Sequence, residues 1–136
     1  MSTNEGKRII FTNKAPKAIG PYSQGVQTET MVFTAGQAGL DPATGELVEG
    51  GIEAQTRQVM NNIKNVLEAA DSSMSLVVKT TVFLKDMNDF AKMNTVYGEF
   101  FPLNPPARTT IAAAALPKGA LVEIETIALL EAPRGD

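Results

Sequence analysis

The chain contains no cysteine and no histidine among its 136 residues. Thiol nucleophiles, disulfides, Cys/His zinc sites and imidazole general bases are thereby excluded. Long apolar runs are missing as well. No segment is long enough to span a bilayer, and the N-terminal MSTNEGKRIIFTNK holds no stretch that fits a signal peptide. A soluble, cytoplasmic protein is therefore expected. There is no excess of positive charge: 12 Lys and Arg stand against 15 Asp and Glu, for a net charge of −3. Nucleic acid and anionic membranes both favour a basic face, so neither is expected as a partner. No run of spaced Asp, Asn and Glu resembles an EF-hand, and no metal site is expected. Repeats, low-complexity tracts and linkers are also lacking. The length suits a single domain over residues 1–136.

What is present reads as an ordered globular domain, with 43% apolar and 20% charged residues. Strands are expected over 7–12, 22–28 and 31–35, the last two forming a hairpin around Glu29 and Thr30. GQAGLDPATGEL reads as a loop: Asp41-Pro42 opens a turn, and Gly45 suits positive φ near its end. From Gly51 the period changes. Ile52, Thr56, Val59, Met60, Ile63, Val66, Leu67 and Ala70 recur at helical spacing, Glu53 suits the first turn, and Asp71-Ser72-Ser73 ends the pattern. LVVKTTVFLK is rich in β-branched residues and places Val78, Thr80, Val82 and Leu84 on one face. Asn88 is the expected N-cap of a second helix carrying Phe90, Met93, Tyr97 and Phe100 or Phe101, stopped by Pro102. The final strands are expected over 108–115 and 121–130.

The expected order is βββαβαββ, an α/β two-layer sandwich of about six strands with two helices on one face. In the last strand Val122, Ile124, Ala128 and Leu130 fit the core. The opposite face mixes Leu121, Ile127 and Leu129 with Glu123 and Glu125. An apolar remainder on the uncovered face points to a partner subunit.

The candidate site begins at Arg108. Asn104-Pro105-Pro106-Ala107 stiffens the approach, and Ala107 and Thr109 are small enough to leave room for a ligand. A planar guanidinium grips a carboxylate with two parallel hydrogen bonds. Arg108 thus reads either as the anchor of a small carboxylate or as a strand arginine paired with Glu123 or Glu125. Glu123 is expected near Arg108 through hairpin pairing or across a subunit boundary, where a carboxylate can orient a water and take its proton. Gly36-Gln37 offers a backbone that lets a ligand approach closely, or simply a turn. Tyr22 reads as a pocket hydroxyl or a core aromatic. Asn94 reads as a half-buried amide or a solvated helix position.

AIGPYSQGV, TAGQAGLDPATGEL, VVKTTVFLKDMNDFAKMNTVYGEFF, NPPARTT and LPKGALVEIE together resemble the RidA family, also called YjgF. The match runs in order from around Ile9 to around Leu129. The resemblance implies a chorismate-mutase-like fold with a mixed sheet, assembled as a homotrimer with ligand pockets at subunit interfaces. It implies hydrolysis of reactive enamines and imines (2-aminoacrylate, 2-iminopropanoate, 2-iminobutanoate) to a 2-oxo acid and ammonia, without a cofactor. It places the carboxylate-binding arginine on Arg108 and the water-orienting glutamate on Glu123. Pocket residues fall on Tyr22, Gly36 and Asn94. Thr110 stands where many members carry cysteine, and its hydroxyl and backbone N–H remain available to a ligand. Two rival readings are a non-catalytic, small-carboxylate-binding regulatory trimer and an RNA-directed translation inhibitor. The acidic balance and the missing histidines weigh against the second.

Overall fold

The computed structural model describes residues 6–132. Seven strands and two helices follow one another as β1 (Arg8–Ile10), β2 (Gly25–Gln27), β3 (Met31–Thr34), β4 (Gln37–Ala38), α1 (Gly51–Ala69), β5 (Val77–Leu84), α2 (Phe90–Glu99), β6 (Ala107–Ala112) and β7 (Val122–Leu129). They form one mixed sheet in the order β1-β2-β3-β7-β5-β6, with β4 pairing β7 beside that path. Only β5 and β6 run parallel, and α2 makes the crossover between them. The β2–β3 hairpin forms as expected, with Val26 opposite Phe33.

The stripe on α1 is buried as its spacing predicts. Val59, Met60, Ile63, Val66 and Leu67 are fully buried against Val82, Leu84, Val122, Ile124 and Ala128 of the sheet. The chain enters α1 through Gly50 and Gly51, at φ 116° and 77°, a left-handed backbone that glycine adopts without a Cβ clash. Gly45 also takes positive φ, at 75°, and closes the turn opened by Asp41 with an N–H to the Asp41 carbonyl at 2.8 Å.

Several expectations are corrected. Among the described residues there are seven strands where about six were expected, because Gln37–Ala38 at the start of the expected loop pairs with β7. A two-residue strand carries too little alternation to be read from sequence. The first strands are shorter than expected, and Tyr22 lies in the bend before β2. Val78 does not share the face of Thr80, Val82 and Leu84. A bulge between Val77 and Lys79 puts Val77 in the core and leaves Val78 exposed. Asn88 is not the N-cap of the second helix. It lies in a 3₁₀ turn, Met87–Asp89, and its N–H donates to the Asp86 carboxylate at 2.9 Å. Phe90 does not join the core that takes Met93, Tyr97 and Phe101.

Both helices lie on the face that carries Thr34, Thr80, Val82, Ile124 and Thr126. Across it, the Thr80 and Tyr97 hydroxyls bond at 2.8 Å and those of Thr34 and Thr126 at 3.0 Å. The other face is uncovered. Ile9, Phe33, Ile111 and Leu129 are each 40–45% exposed there, with Val26, Phe83 and Ile127 half-buried between them.

Candidate functional site

Strand alternation decides where the two candidate charges point. In β7 the inward residues are Val122, Ile124, Thr126 and Ala128, so Glu123 and Glu125 face outward. In β6, Arg108 pairs with Thr80 and Thr110 with Val82, so both side chains share the helix-covered face. Hairpin pairing of Arg108 with Glu123 does not occur. β5 lies between their strands, with Arg108 level with Thr80 and Glu123 level with Phe83. Three residues along and two strands across place their Cα atoms about 14 Å apart. Their side chains also leave opposite faces of the sheet.

No carboxylate among the described residues pairs with Arg108. The ion pairs among the described residues are Arg57–Glu99 and Lys64–Glu68. The Arg108 guanidinium instead donates from Nη1 to Asn94 Oδ1 at 2.7 Å. It also lies 4.9 Å from the centre of the Tyr97 ring and 5.3 Å from that of Phe90. Burial holds the Tyr97 hydroxyl above the usual tyrosine range, against the lowering pull of its Thr80 bond and of Arg108. Tyr97 therefore presents a neutral ring to Arg108, not a counter-charge. Two positions along β6, the Thr110 hydroxyl is buried with no hydrogen-bond partner among the described residues. An unpaired buried hydroxyl carries a desolvation cost that a ligand can relieve.

On the open face, Glu123 lines a cavity with Pro16, Tyr22, Gly36, Pro117 and Lys118. β4 delivers Gly36 there, since Ala38 is paired directly with Glu123. A Cβ on Gly36 would sit 2.9 Å from the Glu123 Cδ and 3.1 Å from its Cγ. Only glycine leaves the carboxylate where it is. Burial pushes the Glu123 carboxyl above the ordinary glutamate range, and the neighbouring Glu125 charge adds to the effect. Tyr22 is half exposed, and its hydroxyl accepts from the Ile19 N–H at 3.3 Å.

The loop carrying Pro16 and Lys17 is fastened by a residue that sequence reasoning passed over. The buried Gln24 side chain accepts from the Thr12 N–H at 2.7 Å and donates to the carbonyls of Thr12, Ala15 and Pro16 at 3.0, 3.3 and 2.8 Å. Phe90 and Tyr97 likewise enter the sequence reading only as part of the second helix's pattern. Their spacing around Asn94, four residues one way and three the other, was the available signal for a shared stripe.

The candidate residues thus form two groups within one chain: Arg108, Asn94 and Thr110 on the helix side, and Glu123, Gly36 and Tyr22 on the open side. Comparison with known proteins agrees over nearly the whole length. The family profile described as Endoribonuclease L-PSP matches residues 12–130. A RutC family protein from Pyrococcus horikoshii is 56% identical over 125 residues, 92% of this chain and 99% of that one. The 2-iminobutanoate/2-iminopropanoate deaminase of Mus musculus is 48% identical over 123 residues, 90% of this chain and 91% of that one. Among solved structures, E. coli TdcF with bound serine superposes with a TM-score of 0.86 at 44% identity, covering 90% of this chain and 98% of that one. With one family profile spanning most of the sequence and curated relatives at about half identity, the chain belongs to the L-PSP family, the group also called RidA, YjgF or RutC.

Proposed function

We propose that the protein is a cofactor-free hydrolytic deaminase of short 2-imino acids. It would act on 2-iminopropanoate and 2-iminobutanoate, and on 2-aminoacrylate after tautomerisation, releasing a 2-oxo acid and ammonia in the cytoplasm. The observation that carries this reading is Arg108: a half-buried guanidinium braced by Asn94, with no carboxylate partner among the described residues. An unpaired buried hydroxyl, Thr110, stands beside it. Such a pair suits a small carboxylate.

In the proposed mechanism Arg108 binds the substrate carboxylate, assisted by Thr110. Glu123 holds one water against the imine carbon. The water oxygen bonds to that carbon while one of its protons passes to Glu123 and the imine nitrogen takes up a proton from solvent. The resulting carbinolamine then loses ammonia as its C–N bond breaks. The proton on Glu123 leaves with the nitrogen and the carbinolamine hydroxyl returns its proton to solvent, so atoms and charge balance and Glu123 is again ionised. An imine carbon is already electrophilic and hydrolyses unaided, so the catalytic demand is modest. Each tenfold gain needs about 1.4 kcal/mol. Positioning and one general base supply several such steps. A carboxyl raised by burial is also a stronger base near neutral pH.

Arg108 and Glu123 of one chain are too far apart, and too opposed in direction, to serve one small acid. The proposed site therefore joins Arg108, Asn94 and Thr110 of one protomer to Glu123, Gly36 and Tyr22 of a second. The apolar, uncovered sheet face supports such assembly. A homotrimer closes three equivalent interfaces with no surface left over. The name of the mouse relative supports the reaction. The assay is release of 2-oxobutanoate from freshly generated 2-iminobutanoate. Arg108→Ala, still folded and still assembled, is expected to lose at least about tenfold in kcat/KM. An unchanged rate refutes the assignment.

A further inference from the structure

On α2, Phe90, Asn94 and Tyr97 fall on one stripe, and all three meet the same guanidinium. Over seven residues a helix rises about 10 Å, so the two rings stand on either side of Asn94 with a gap between them. The Arg108 guanidinium occupies that gap. Core packing explains Tyr97, which is 6% exposed, touches Phe101 and is tied to Thr80. It does not explain Phe90. That ring is 37% exposed, lies outside the core, and opens α2 directly after the turn set by Asp86.

We infer that Phe90 and Tyr97 are positioning residues: an aromatic cradle that fixes the Arg108 guanidinium for carboxylate binding. The inference rests on the reading of Arg108 as the substrate's anchor and goes beyond it. A free arginine side chain samples many rotamers, and ordering it on binding weakens the complex. Here the ordering is done beforehand. Ring faces attract the cation without occupying its N–H groups. Asn94 takes one N–H on Nη1. The remaining in-plane donors stay available in a set direction, as two-point recognition of a planar carboxylate requires. An acidic partner would fix the guanidinium as well, but it would compete with the ligand. Aromatic rings do not.

The test is calorimetric binding of 2-oxobutanoate, used as a stable stand-in for the imine, to the assembled protein and its variants. Phe90 is exposed enough to change without opening the core. Phe90→Leu is expected to weaken binding about fivefold. Phe90→Trp, which keeps a ring face, is expected to restore it. Arg108→Ala is expected to lose on the order of thirtyfold. In that background Phe90→Leu should add less than twofold, because the group it positions is gone. A merely structural role for Phe90 gives the same loss with or without Arg108, and that result overturns the inference. So does wild-type affinity in Phe90→Leu while Arg108→Ala is weak. Wild-type affinity in Arg108→Ala, or no binding by the unsubstituted protein, instead counts against the site reading beneath it.

Discussion

Gly36→Ala isolates the geometry of Glu123 from its chemistry. The new Cβ would collide with Glu123 Oε2 and stand 2.9 Å from its Cδ. Atoms in comfortable contact with a carbon are separated by about 3.5 Å, so the carboxylate, whose Oε2 is the nearest atom, must retreat by about 1 Å or more. Misplacing a reacting group by about 1 Å costs on the order of a hundredfold, and a loss of that order is expected here. The loss should fall on kcat, since Glu123 is proposed to hold the water and Arg108 the substrate. Gly36 does not have a left-handed backbone, so alanine meets no backbone strain there. The melting temperature should stay within about 3 °C of wild type. The assay pairs steady-state deamination of 2-iminobutanoate with thermal denaturation. In a Glu123→Gln background the glycine substitution should add nothing further. Unchanged kcat, or a loss confined to KM, refutes the role given to Glu123.

Four further outcomes are expected. Glu123→Gln should slow deamination by about a hundredfold or more while leaving the oligomer assembled, measured by 2-oxo acid release and gel filtration. The same substitution should stabilise the fold at neutral pH. The folded carboxyl titrates above its unfolded value, so stability is fully present below the unfolded value and falls as pH rises through the raised one. Glutamine removes that fall, and melting temperatures measured across pH should converge on the acidic side and diverge toward neutrality. Wild-type kcat should decline as pH drops through the raised Glu123 value, at a higher pH than an exposed glutamate would give, as a pH–rate profile will show. Finally, single-stranded RNA should bind no more tightly than to an inert acidic protein at physiological salt, given the net charge of −3. Tight, strongly salt-dependent binding would revive the RNA-directed reading.

Much of the architecture was legible because it rests on long periodic patterns. The stripe from Ile52 to Ala70 and the alternation of Val122, Ile124 and Ala128 each repeat often enough to specify a face. The misses are places where one residue breaks a pattern. The bulge after Val77 reverses the face of Val78, and alternation alone cannot announce it. The strand Gln37–Ala38 is fixed by its partner in β7, a non-local pairing that local propensity does not contain. Asn88 does not cap the second helix because a 3₁₀ turn, itself capped by Asp86, precedes α2 and puts Asp89 at its N-cap. In the candidate site, residue types were readable and directions were not. Arg108 and Glu123 look like hairpin neighbours until β5 is inserted between their strands, and only the sheet order reveals that. Asn94 was placed on its helix correctly, but its bond to Arg108 depends on the β5–α2–β6 crossover. Gly36 looked like any turn glycine, and its significance appears only against the Glu123 side chain.

The proposed division of the site between two copies of the chain can be tested by complementation. Arg108→Ala and Glu123→Gln each disable one half, and each alone should be nearly inactive. Dissociated together and reassembled in equal amounts, they should regain about a quarter of wild-type activity per site, because one interface in four then joins an intact Arg108 to an intact Glu123. Mixed oligomers that form yet stay as inactive as their parents would contradict a shared site.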